Sequence, residues 1–405
     1  MTTNAEQLHA FPLSRGGCPV HPAAEYSQWR DEDDGLSRIE LWNGKATWFI
    51  TSAEHVQTLL MDKRMSSDRT NESYPLEAPV HAAGPSAKSF RSMDGPEHQF
   101  YRRFLAKEFS APRIAAIQPL IDRTIADLIA EMKDKGAPAN LFTDFALPLP
   151  MRVVCAHVGV PVEDQDQFDG WINALLSREG DATEAAQAGK EMAGYILGLI
   201  DIRIEDPRDD VISHVANGPL ARGEITRQDA MATCLILFLG GYESTAFSLS
   251  TGMLALLQNP DQLAKVRAGL SEEATNRMVE EILRYTSVTE AGMCRFAVED
   301  IEIGGKVIAA GDGIIFHLPT ANRDAVHYPD PNTLDIDREG PRHVAFGWGV
   351  HQCVGQNLAR AELRAAIPAL VAALPGIRLA VPEEELTFRE NALVVGATSL
   401  PIAWD

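Results

Sequence analysis

Phe346-Gly347-Trp348-Gly349-Val350-His351-Gln352-Cys353-Val354-Gly355 places one cysteine in a glycine-punctuated loop directly ahead of a long helical pattern. The glycines permit a tight loop and close approach of backbone to a flat cofactor. Backbone N–H groups and the start of the next helix can stabilise a sulfur anion. A lone cysteine is more often a small buried core residue, so the reading rests on what the rest of the chain supplies.

The chain has 405 residues, 45% of them hydrophobic, which is ample for a large core. No Ser/Gly-rich or Pro-rich linker divides it and no period suggests repeats, so residues 1–405 read as one globular catalytic unit, expected to be a monomer. The N-terminus lacks the basic start and apolar block of a signal peptide, and no apolar run reaches the length that spans a bilayer. A protein that is not inserted in a membrane, and cytoplasmic, is expected. The net charge of −21 argues against a nucleic-acid binder. Five cysteines without metal-ligand spacing imply neither a zinc site nor a disulfide framework.

The fold class reads as mainly α with a smaller β-rich part. The β-rich part falls mainly within 30–65, 296–320 and 378–405, and the helical body mainly within 95–290 and 355–375. Residues 1–90 mix β-like runs with loops, and Asn43-Gly44 marks a hairpin turn between arms in 41–51. Ile114, Ile117, Leu120, Ile121, Ile125, Leu128 and Ile129 recur at helical spacing. The longest helix candidate starts after Thr226, with Asp229 completing a capping box, and stops before Asn259-Pro260. Its middle is apolar on every side and therefore buried, yet Gly240-Gly241-Tyr242-Glu243-Ser244-Thr245 interrupts it. Each mid-helix glycine costs about 0.8–1 kcal/mol relative to alanine, and an interior carboxylate is expensive unless paired. Close helix packing explains the glycines alone; the acid and hydroxyls beside them point to chemistry.

The cysteine stretch resembles the haem-binding loop of the cytochromes P-450, which runs Phe, two residues, Gly, one residue, His or Arg, one residue, Cys, one residue, Gly. Phe346, Gly349, His351, Cys353 and Gly355 fill it. The 240–245 segment is similar to the family's oxygen-activation motif. By that match Gly241 leaves room for dioxygen, Glu243 belongs to proton delivery, and Ser244 stands where threonine is usual. Glu281-Ile282-Leu283-Arg284 resembles the structural Glu-x-x-Arg motif, giving Glu281 and Arg284 a role in holding the cysteine loop. His98 and Arg102, entered through Pro96, are similar to the His-x-x-x-Arg propionate motif, although Gly95 and Phe100 replace the usual proline and arginine. Arg295 in Arg-Phe-Ala-Val-Glu-Asp and His351 complete the propionate partners that the resemblance implies.

The resemblance, from about Phe11-Pro12 to the C-terminus, implies the cytochrome P-450 fold and haem b (iron protoporphyrin IX) with Cys353 as axial thiolate and metal ligand. It implies a monooxygenase, an oxidoreductase of secondary metabolism or xenobiotic oxidation, that inserts one atom of dioxygen into a bulky hydrophobic substrate. A macrolide, terpenoid or steroid suits, by hydroxylation or epoxidation. Electrons would come from a ferredoxin with an NAD(P)H-dependent ferredoxin reductase. Arg103, Lys107, Arg342, Arg360 and Arg364 are docking candidates for it, though each also reads as a solvated helix face. By family position, substrate contacts fall at the 70–90 loop, the segment around 168–186, Leu237, Phe238, Val288 to Met293, Val394 and Val395. A peroxide-using, desaturating or coupling haem-thiolate enzyme, or a non-catalytic haem sensor or carrier, remain the alternatives.

Overall fold

A computed structural model describes residues 8–16, 20–78, 89–164, 167–168, 170–171, 174, 181–291, 293–390 and 392–405. Helices form most of it, and the strands gather beside them in one six-stranded sheet and three small ones.

The hairpin turn lies at Asn43-Gly44, where Gly44 adopts φ 77° and its N–H donates to the Leu41 carbonyl at 2.8 Å. The arms, however, are Leu36–Glu40 and Ala46–Ile50, paired from Leu36 opposite Ile50 to Glu40 opposite Ala46. The first arm lies upstream of the expected one, because it is the strand from Leu36 that buries Leu36 and Ile39. Ala46–Ile50 then runs parallel to Gly313–Phe316, which pairs antiparallel with Cys294–Ala297. Two helices, Ala24–Asp33 and Ala53–Met61, were not anticipated in this N-terminal part. The second buries Val56, Leu59 and Leu60 on one face, a period that short flanking strands obscured.

The expected long helix spans Arg227–Gln258. Thr226 Oγ1 accepts from the Asp229 N–H at 3.1 Å while Asp229 accepts from the Thr226 N–H at 2.8 Å, a reciprocal cap contributing about 1 kcal/mol. Among the described residues it is the one helix long and apolar enough to cross a membrane, and most of it is buried inside the protein. It packs against Pro148–Val158, Ala182–Glu205, Glu272–Thr286 and Gln356–Ala373. Its small residues set the approach distances. A Cβ on Gly252 would lie 2.6 Å from Ile282 Cγ2, and one on Gly241 would lie 2.6 Å from Val154 Cγ2.

Candidate active site

A cavity of about 360 Å³ lies between the middle of the long helix and the cysteine loop. Cys353 borders it, and the thiol's exposure is into this space, not to bulk water. The loop is built locally. The Cys353 N–H donates to the Phe346 carbonyl at 2.9 Å, and Gly347 and Gly349 adopt φ 68° and 70°. A Cβ on Gly349 would collide with the Leu60 carbonyl, so both its conformation and its contact exclude a side chain. Burial pushes the Cys353 thiol up, while the N–H groups of Gly355 and Gln356 and the guanidinium groups of Arg102 and Arg360 pull it down. The surroundings thus favour the anion wherever a countercharge offsets desolvation.

A buried network holds this loop from behind. Arg284 forks onto Glu281 (Nε–Oε2 2.7 Å, Nη2–Oε1 2.8 Å) and donates Nη1 to the carbonyls of Asn322 and Pro331, both at 2.9 Å. Asn322 Oδ1 accepts from the Val344 N–H at 2.8 Å, which carries the support to the residues just before Phe346. Phe346 itself lines the cavity with the Arg360 guanidinium 4.5 Å from its ring centre.

On the facing wall, Gly240, Gly241, Glu243, Ser244 and Thr245 all border the cavity. The open space lies at Gly240, where an added Cβ meets nothing within 4 Å, whereas the Cβ position of Gly241 is filled by Val154. The room expected at Gly241 is therefore helix packing there and free volume one residue earlier. Ser244 Oγ donates to the Gly240 carbonyl at 3.1 Å, and Thr245 Oγ1 to the Gly241 carbonyl at 3.4 Å. Glu243 is buried, with Oε1 2.6 Å from Arg389 Nη1 and Oε2 without a hydrogen-bond partner among the described residues. Arg389, 146 residues away, also donates Nε to the Val394 carbonyl at 3.2 Å and stacks 4.4 Å from the Phe247 ring centre. No local pattern around Arg389 foreshadowed this.

Between the two walls lies a corner built from two imidazoles and one guanidinium. The His98 and His351 rings stack with centroids 3.9 Å apart, and both border the cavity with Arg102. Burial, then the charges of His351 and Arg102, push His98 down to about 4, and its Nε2 is buried without a partner among the described residues. Asp94 anchors the corner: burial opposes its ionisation, but hydrogen bonds from His351, Ser66 and Ser67 hold it well below the usual carboxylate range. Gly95 adopts φ 56°, which proline cannot reach, and this accounts for glycine where proline is usual.

Several expected positions fall elsewhere. Arg295 is buried, donates Nη1 to the Cys294 carbonyl at 2.6 Å and is not on the cavity lining. Leu237, Val288, Met293 and Val394 line the cavity. Phe238 and Val395 do not. Phe238 is turned about 100° from Leu237 along the helix and packs on Phe168 at 4.7 Å. Val395 is buried behind Val394 and donates its N–H to the Val288 carbonyl at 2.9 Å. Arg360 is not a free surface cation, because it forks onto Glu280 at 2.6 and 2.9 Å. Arg103 and Lys107 are exposed without partners among the described residues; Arg342 lies 5.4 Å from the Trp348 ring centre, and Arg364 donates to Asn276 at 2.9 Å. The expected contacts at 79–88 and most of those at 168–180 lie outside the described residues.

The Cytochrome P-450 family model matches residues 184–374. The chain is 38% identical over 404 residues to a vitamin D3 dihydroxylase of Streptomyces griseolus, covering 100% of this chain and 98% of that one. It is 39% identical over 398 residues to a pentalenic acid synthase of Streptomyces avermitilis, covering 98% and 97%. The crystal structure of the mycinamicin VIII C21 methyl hydroxylase MycCI from Micromonospora griseorubida, bound to mycinamicin VIII, superposes with a TM-score of 0.92 at 31% identity, covering 98% and 100%.

Proposed function

The chain belongs to the cytochrome P-450 family of haem-thiolate monooxygenases, and on that premise we propose that Cys353 is its axial ligand and the cavity above it holds a bulky hydrophobic substrate. The observation that supports this best is the meeting, in one cavity, of a thiol, an interrupted helix opposite it, and a corner of stacked imidazoles and the Arg102 guanidinium between them. The residues fit haem b. Its two propionates suit the stacked His98–His351 pair and Arg102, where His98 Nε2 otherwise lacks a partner among the described residues. Haem b, when bound, supplies the iron that takes up electrons and dioxygen, so that one oxygen atom enters the substrate and the other leaves as water.

The chain's own residues supply orientation and protons. Arg389 fixes one oxygen of Glu243 and leaves Oε2 buried without a partner among the described residues, on a residue that borders the cavity and can relay protons there. Ser244 Oγ can leave the Gly240 carbonyl and donate into the cavity. Lacking a second Cβ substituent, its χ1 is less restrained than that of threonine. Ser244→Thr should therefore lower hydrogen peroxide released per electron pair about two- to fivefold; equal ratios in the two proteins would remove Ser244 from oxygen handling.

The substrate class is a macrolide, terpenoid or steroid-like molecule, in keeping with the relatives and with the apolar residues Leu237, Val288 and Val394. Electrons come from a ferredoxin and its NAD(P)H-dependent reductase, in the cytoplasm, to a monomeric enzyme. With Arg360 committed to Glu280, the dock comprises Arg103, Lys107, Arg342 and Arg364. Neutralising these four should slow reduction by ferredoxin about tenfold at low salt while dithionite reduction stays unchanged; unaltered ferredoxin kinetics would refute the dock. The reading as a whole is tested by the carbon monoxide difference spectrum of the reduced protein. A strongly red-shifted Soret band is expected, and its absence overturns the Cys353 assignment.

A further inference from the structure

Arg91 borders the cavity, yet nothing in the reading of the site uses it. It sits in a single 3-10 turn, Phe90–Ser92, fixed by reciprocal bonds: the Ser89 N–H donates to Ser92 Oγ at 3.2 Å and Ser92 Oγ donates to the Ser89 carbonyl at 3.0 Å. Phe90, Ser92 and Met93 are buried, so Arg91 is the exposed side chain of the turn and borders the cavity beside Phe90. Among the described residues its guanidinium makes no hydrogen bond or ion pair. The adjoining residues 79–88, outside the described set, include no aspartate or glutamate. Arg91 keeps accessible surface although protein surrounds it closely, so like Cys353 it is open to the cavity it borders; that crowding is the leading cause that pushes Arg91 down, and a guanidinium so confined without a bonded countercharge is costly. The titratable groups that act on Arg91 are Tyr74, Arg69, Cys294 and Glu77, and Arg295 lies within reach of its charge, whereas those of His98 are His351, Arg102, Asp94 and Arg295. Arg91 thus stands apart from the corner assigned to the propionates, in surroundings where arginines outnumber the one carboxylate.

We propose that Arg91 is a specificity-determining residue that anchors a carboxylate on an otherwise apolar substrate. This rests on the haem-thiolate reading of the same cavity. A guanidinium can take a carboxylate through two parallel N–H···O bonds, and apolar walls make that contact selective, because a neutral analogue leaves the cation unpaired. The substrate class narrows from bulky hydrophobic molecules to bulky hydrophobic acids.

The test uses the haem-loaded full chain and two series of probes, ω-imidazolyl alkanoic acids and the matching ω-imidazolyl alkanols of increasing chain length. The imidazole end reports binding through the haem absorption band whichever tail it carries. At the chain length that reaches Arg91, the acid should bind wild type about tenfold more tightly than the alcohol. In Arg91→Gln the difference should fall below about twofold, with haem content and the carbon monoxide band unchanged. Arg91→Lys should keep part of the preference, since it retains charge but not the fork. No acid preference at any length, or a preference that survives Arg91→Gln, overturns the proposal alone. Loss of haem in Arg91→Gln assigns the guanidinium to the cofactor and overturns it as well. A wild-type protein without the red-shifted band overturns the Cys353 assignment and this inference together.

Discussion

Cys353→Ser protein is expected to lose the red-shifted carbon monoxide band and to turn over more than about 10³-fold slower, the scale on which losing one member of a catalytic unit is felt. Serine preserves size, and the backbone bond from residue 353 to the Phe346 carbonyl does not depend on the side chain, so the loop should persist. What changes is the donor. A serine hydroxyl stays protonated near neutral pH, whereas the thiol, although burial pushes it up, has the N–H groups of Gly355 and Gln356 and the guanidinium groups of Arg102 and Arg360 to hold its anion once a bound cation offsets the burial. Haem uptake, circular dichroism and the reduced carbon monoxide spectrum separate loss of ligation from loss of fold. A red-shifted band retained by Cys353→Ser would take this residue off the iron.

Arg284→Ala should cost about 3–5 kcal/mol of stability, the range for breaking a buried ion pair by removing one partner. Against a typical total of about 5–15 kcal/mol, that leaves little folded protein at physiological temperature. The Glu281 carboxylate would keep Arg338 Nε at 3.1 Å and the Asp335 N–H at 3.0 Å, but the carbonyls of Asn322 and Pro331 would lose their shared donor. For the same reason the double variant Glu281→Leu/Arg284→Met should not recover: these side chains tie backbone groups that an apolar pair leaves unsatisfied. Urea unfolding with haem retention as a second probe measures both proteins. A loss under about 1 kcal/mol in Arg284→Ala would show that the network is dispensable.

How much of this was legible in the chain follows the range of each interaction. The cysteine loop was readable because its constraints are local: glycines at positive φ and a Cys353–Phe346 backbone bond. The long helix was readable because its cap and its terminating Asn259-Pro260 lie in sequence next to the periods they bound. The cation opposite Glu243 was not, since Arg389 comes from a strand whose pairing is set by the C-terminal hairpin. Arg360 looked like a surface charge because nothing in Arg-Ala-Glu-Leu-Arg reveals Glu280 across the helix interface. Phe238 and Val395 failed as substrate contacts by one residue each. In a helix or an extended segment that single step turns a side chain from the cavity to the core.

The sequence by itself pointed to the chemistry of this protein, because the cysteine loop, the interrupted stretch of the long helix and the Glu-x-x-Arg motif are each short patterns whose spacing is covalent. Only the tertiary structure decided which of those side chains share a cavity, which cations are already neutralised, and which, among the described residues, remain unpaired at the cavity. Burial and countercharge are properties of neighbours that the chain brings together from far apart. Arg91 and Arg360 are the same residue type with opposite fates for that reason: one meets a carboxylate on a packed helix, and the other meets the cavity.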